Sequence, residues 1–428
     1  MSNVVLEGIR DKLTKAGLLP LESQARISTE VLRDKLETIL PEAMEKSGVD
    51  FWLVIAKEYN EDPVMQTLFT WDMPHARRVS ALVFYYDRNS GKARRMSAGA
   101  ASPEMNKLYE NIKNEAETVM ECLVRIIHEY NPEKIAINRS NNQGICDGIT
   151  ASLYGALMNS LEPEYRERLC GADGLITRWL QRVTPRELEL MKVMVDVTQD
   201  IIRLCLSRDA VRPGITSTTD IEWLMRNTIS QLGFDYWFGP DVDLQRKGGP
   251  SSRMFEAVVE SGDLLHCDIG ISGKYIKLNT DLQWVAYLRR PDEEHAPKGI
   301  KELLLHCNRF QDIVASKLKA QLTGNDVFAA AVEQAKTEGL KPMLYTHPLG
   351  TFGHGVGPLI GLYDAQGFVE VRGERPVENN TCFALELNIR DNLPEWDHQE
   401  VFMYLEEDIY FDGKVSYICG RQTELIEI

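Results

Sequence analysis

The sequence predicts an α+β protein of two domains, and three observations carry that prediction. Its 428 residues are 43% hydrophobic and 26% charged, an ordinary globular composition at a length that suits more than one domain. Apolar runs alternate with helical periodicity through residues 1–178, an α/β pattern. Over residues 179–428 a pair of helices is followed by strand-rich chain, and the same order then recurs.

In chain order, residues 28–47 carry a helical stripe and lead into the buried-strand pattern DFWLVIA at 50–56, with a second strand, VSALVFYYD, at 79–87. A helical stretch near 104–130, the strand KIAIN at 134–138 and a helix over 147–159 complete the first domain, whose end is expected within 175–184. Thr184-Pro185-Arg186-Glu187 has the spacing of a capping box with proline at the first helical position, so a helix is expected over 185–209. Thr219 and Glu222 repeat that spacing, and Gly233 closes a second helix before strands that run to about 288. Helices near 297–320 and 324–338, the latter ending at Gly339, open the second cycle, which finishes in strands and glycine-rich turns. The recurrence suggests an internal pseudo-duplication.

A net charge of -16 and a sequence pI near 5.1, with no Lys/Arg-rich tract, argue against a nucleic-acid partner. The eight cysteines stand singly, mostly within apolar runs, as expected of reduced thiols in a cytoplasmic protein. The opening MSNVVLEGIRDKLTKAGLLP mixes charges among its apolar residues, so neither a signal peptide nor a membrane span is expected there. A dinucleotide enzyme lacks its G-x-G-x-x-G fingerprint.

The second domain carries the chemistry. Asp268 lies in the strand-like GDLLHCDIG, and Asp281 opens the strand LQWVAYL, so a hairpin brings the two together. Glu386 in TCFALELNIR and Glu407 in VFMYLEEDIYF place two further acids inside apolar strands. One such acid is commonly a cap or half of an ion pair. Several in one domain, with no run of Arg or Lys to neutralise them, call for cations, because a buried carboxylate is costly until paired. Two of the eight histidines, His347 and His354, stand in YTHPLGTFGHGVGPLIG, where glycines let backbone approach a substrate. His266 would share a strand face with Asp268 and is expected to orient a ligand, whereas Cys267 faces the core. Glu395, Asp397, His398 and Glu400 read as a solvated loop without chemistry.

The order Asp268, Asp281, His347, Glu386, Glu407, the helix start TPRELELMK and the glycine-rich histidine segment resemble the pita-bread metallopeptidases, a family that includes methionine aminopeptidase, aminopeptidase P, prolidase and creatinase. The resemblance covers 184–428, and the first domain resembles the smaller α/β domain of the creatinase and prolidase branch. It implies two divalent ions, manganese foremost with zinc, cobalt or iron as alternatives, held by Asp268, Asp281, His347, Glu386 and Glu407. His347 begins H-P-L-G, like the family's ligating histidine, and His354 follows seven positions later, like its substrate-contacting one. Glu407, as the first residue of an E-D pair, matches the last ligand better than Glu406. The implied reaction is hydrolysis of the amino-terminal amide of short peptides by a metal-bridging hydroxide, as in an Xaa-Pro aminopeptidase or dipeptidase. Glu386 would relay the proton, His354 would bind the developing oxyanion, and the chain would form a homodimer.

The pattern also departs from the family. The two aspartates are 13 positions apart, a longer hairpin than usual, and no histidine stands about 17 positions before Asp268, where family peptidases have one. Gln283-Trp284 replaces a usual Thr-Arg, and Tyr404-Leu405 stands where an arginine is usual. Two other readings therefore stand beside the peptidase: a same-fold metalloenzyme acting on a small non-peptide substrate, at an amide or another C–X bond, and a metal-free binding module.

Overall fold

The computed structural model describes residues 3–250 and 252–428, in two compact units: Gln24–Leu180, and Met1–Ser23 with Gln181–Ile428. The amino-terminal stretch expected within the first domain thus belongs with the second. Its helix Asn3–Lys15 is tied there by Lys12, whose Nζ lies 2.7 Å from Asp196 and 2.6 Å from Asp200.

In Gln24–Leu180 a six-stranded mixed sheet centres on Phe51–Lys57, which pairs antiparallel with Val79–Asp87 and parallel with Ile135–Ile137. Both central strands are almost wholly buried, as their unbroken apolar runs require. The expected helix at 104–130 is instead two. Met105–Leu108 and Val119–Tyr130 are separated by an edge strand, and a Thr118/Glu121 capping box restarts the second.

The other unit repeats a motif. Helices α1 (Pro185–Cys205) and α2 (Thr218–Gln231) precede strands β1 (Asp241–Gln245), β2 (Leu264–Ile269) and β3 (Leu282–Tyr287). Helices α3 (Lys298–Lys317) and α4 (Gly324–Thr337) precede β4 (Pro342–Leu344), β5 (His347–Leu349), β6 (Thr381–Leu393) and β7 (Gln399–Phe411). Thr184 and Glu187 form the predicted capping box of α1. For α2 the box is Ser217 with Asp220 rather than Thr219 with Glu222; Glu222 instead accepts from the Val242 amide.

The strands join in one nine-stranded sheet whose main path runs β4-β6-β7-β3-β2-β1. The halves meet where β7 pairs antiparallel with β3, Gln283 opposite Glu406. Leu385 and Leu405 lie on the helix-covered face, in the core that Leu303, Phe310 and Val327 share. Among the described residues no helix is long and apolar enough to cross a membrane.

Candidate metal centre

Strand register builds the site. Asp241 pairs with Asp268, Asp268 with Gln283, Gln283 with Glu406, and Glu406 with Glu386, a polar row straight across five strands. Directly paired residues share a sheet face, so all five project to the same side. The next residues along face the other way. Glu407 pairs with Leu385 on the helix-covered face, where its Oε1 accepts from Trp284 Nε1 at 2.9 Å and the Gln422 amide at 2.6 Å. The expectation that Glu407 is the last ligand is therefore corrected: the period of two turns it away and brings Glu406 in.

Asp281 enters from the turn before β3. Asn279 anchors that turn to the histidine loop, its backbone and side-chain nitrogens donating to the Gly350 carbonyl at 2.9 and 3.0 Å. His347, first residue of β5, pairs with Ala384 and is buried. Asp281, His347 and Glu406 converge, each offering one atom within 4.8 Å of the others. His347 Nε2 lies 3.5 Å from Asp281 Oδ2 and 3.7 Å from Glu406 Oε1.

The protonation of His347 decides what this cluster can hold. Its Nδ1 faces the Pro348 carbonyl at 3.1 Å and so carries the hydrogen, which leaves the Nε2 lone pair pointing at two carboxylate oxygens. Burial lowers the imidazole pKa to about 4, so the ring is neutral. Among the described residues His347 Nε2 and Glu406 Oε1 have no hydrogen-bond partner. Three buried electron-pair donors facing one another suit a cation with oxygen and nitrogen ligands, and these residues fit one.

Asp268 and Glu386 flank this set without entering it, and both are partly exposed. Burial and then the neighbouring Glu406 carboxylate raise both pKa values well above the ordinary range. Glu406 is itself pushed up to about 8 by burial. Such crowding of like charges is relieved by a metal ion.

His354 stands beside the cluster, its ring edge-on to His347 with centroids 4.8 Å apart. Although the residue is exposed, partial desolvation of its ring, then His347 and Arg372, lower its pKa to about 4, so it too is neutral. Trp237, with its Nε1 donating to the Thr280 carbonyl at 2.9 Å, packs against His354 at 5.0 Å. A Cβ at Gly270 or Gly353 would overlap the indole, which explains a glycine on each side of it.

Sequence reasoning missed a buried polar chain. Gln283 Nε2 donates to Glu386 Oε1 at 3.0 Å and to Glu406 Oε2 at 2.8 Å, while its Oε1 faces His266 Nε2 at 3.0 Å. His266 Nδ1 contacts Asp243 Oδ2 at 2.8 Å, and Arg253 Nη1 donates to the same oxygen at 2.9 Å. Burial opposes charge on His266, but Asp243 outweighs it and the pKa is raised. The signal for this chain lay in two departures, Gln283 in place of threonine and no histidine in the segment that carries Arg253. Cys267 pairs with Trp284 in the core, and Glu395–His398 form the turn between β6 and β7.

Comparison with known proteins bears on the fold and the family. The X-Pro aminopeptidase of Thermotoga maritima superposes with a TM-score of 0.65 at 16% identity, over 90% of this chain and 100% of that one. The Xaa-Pro dipeptidase of Bacillus anthracis gives 0.62 at 17%, over 94% and 100%. The amino-terminal domain of the chickpea FACT complex subunit SPT16 gives 0.57 at 11%, over 92% and 96%. At these identities the likeness is one of fold, and it spans proteins of different roles. No curated protein sequence matches the chain. Residues 189–413, more than half of the chain, match the profile of metallopeptidase family M24, and with the pita-bread α+β architecture described above the chain belongs to that family.

Proposed function

We propose that the chain is a metal-dependent hydrolase that cleaves the amino-terminal amide bond of short peptides, most like an Xaa-Pro aminopeptidase or dipeptidase. The observation that carries this reading is the unprotonated His347 Nε2 aimed at Asp281 Oδ2 and Glu406 Oε1, with neither Nε2 nor that glutamate oxygen hydrogen-bonded among the described residues. A divalent ion bound there, manganese foremost, would activate a water and polarise the scissile carbonyl. The remaining steps belong to the chain's own side chains. Glu386 is partly exposed and has one oxygen beyond the Gln283 bond, from which it accepts the water proton and passes it to the leaving nitrogen. His354, neutral and beside His347, donates a hydrogen bond to the carbonyl oxygen as charge develops.

The test is turnover of Xaa-Pro dipeptides and tripeptides by purified, manganese-loaded protein. Glu386→Gln should lower kcat by at least about 10²-fold with metal retained; near-native turnover would reject that role. A second reading, hydrolysis of a small non-peptide amide, is favoured by the absence of histidine in the segment that holds Arg253. Activity on simple amides without activity on any Xaa-Pro peptide would select it.

A further inference from the structure

We propose that this centre holds one divalent ion, on Asp281, His347 and Glu406, and that the Gln283 amide fills the place a second ion would need. The inference rests on the metal dependence proposed above.

Paired ions lie about 3.5–4 Å apart and share carboxylates, each bridging group giving one oxygen to each ion. Glu406 stands between Gln283 and Glu386 in the row, and its oxygens have different tasks. Oε1 faces His347 Nε2. Oε2 accepts from Gln283 Nε2 at 2.8 Å. The second hydrogen of that amide goes to Glu386 Oε1 at 3.0 Å, so both are committed. Two positively polarised hydrogens thus stand where a second cation would draw on the same two carboxylates. In register, Gln283 lies between Glu406 and Asp268, which leaves Asp268 on the far side of the amide.

The amide cannot turn over cheaply. With Glu386 and Glu406 ionised, as a bound cation requires, both only accept, so the NH₂ faces them and the carbonyl faces His266 Nε2. His266 is held in turn by Asp243, and Asp243 by Arg253, whose guanidinium also lies over the Tyr404 ring at 4.7 Å. The side chains of Asp243, His266 and Gln283 are buried. A chain of this kind fixes one orientation, because reversing any member strands a buried polar group.

Metal stoichiometry tests this without reference to activity. The full chain is dialysed to equilibrium against MnCl₂, bound manganese is measured by elemental analysis, and the electron paramagnetic resonance spectrum is recorded. One Mn²⁺ per chain with the hyperfine pattern of an isolated ion is expected. Gln283→Thr and Gln283→Ala remove the amide with its hydrogens and its bulk and should raise the stoichiometry to two, with the spectrum of an exchange-coupled pair. Two ions on the native chain would overturn the proposal. So would a native stoichiometry of one that persists in both folded variants, since the amide would then not be what excludes the second ion. No bound manganese would instead reject the metal dependence itself.

Discussion

At the scale of single residues, adjacent glutamates divide the labour by strand geometry. Glu406→Gln should abolish tight metal binding, because it removes one of three converging ligands. Glu407→Gln should keep the ion, since a glutamine Oε1 still accepts from Trp284 and Gln422; isothermal titration of both variants with Mn²⁺ separates the two, and loss in the second alone would contradict the register argument. Burial pushes the Glu407 carboxyl up to about 8, against about 4.3 in an unfolded chain. Between those values the folded state binds the extra proton, so this group's contribution to stability is greatest below pH ~4 and is lost as pH rises through about 8. Glu407→Gln should therefore match or exceed the native melting temperature at pH 8, with the advantage vanishing near pH 4. The acids were legible as an anomaly of charge within apolar strands. Which of two neighbours faces the site was not, because register is set by pairing partners on other strands, Glu386 across the β6–β7 hairpin and Gln283 at a separation of 123 residues.

At the scale of elements, local chemistry was readable where one signal stood alone. Thr184 and Glu187 cap α1 as their spacing dictates, and both are buried. Thr184→Ala should cost about 1 kcal/mol of stability in denaturant titration. Around α2 the segment TSTTDIE offers two overlapping boxes, and spacing alone does not choose between them. The isolated bridge between Ser217 and Val258, an extended contact fixed by the fold, makes Ser217 the cap. The histidine loop is an element of another kind, shaped by what its glycines admit. Gly353→Ala would push the Trp237 indole away from His354. Such a variant should bind Mn²⁺ normally, show altered tryptophan fluorescence and raise KM; unchanged fluorescence and KM would mean that the indole is no part of the cleft wall.

At the scale of the whole molecule, the recurrence of helix pair and strands becomes a sheet whose halves meet at β3 and β7, and the ligands come from both sides of that seam. Asp281 precedes β3 in the first half, while His347 and Glu406 sit on β5 and β7 in the second. A bound ion therefore joins two halves of one sheet, and an ion that binds only the folded state adds stability of about 3–4 kcal/mol at 100–1,000 times its Kd. That gain should be local. Hydrogen exchange with and without Mn²⁺ should show added protection in β3, β5, β6 and β7 and none in the strands Phe51–Lys57 and Val79–Asp87, which build a separate sheet around their own core. Chelation should reverse the added protection. Equal protection of both sheets would show the ion acting on the chain as a whole, and protection confined to β6 and β7 would place it within the second half, away from Asp281 and the seam.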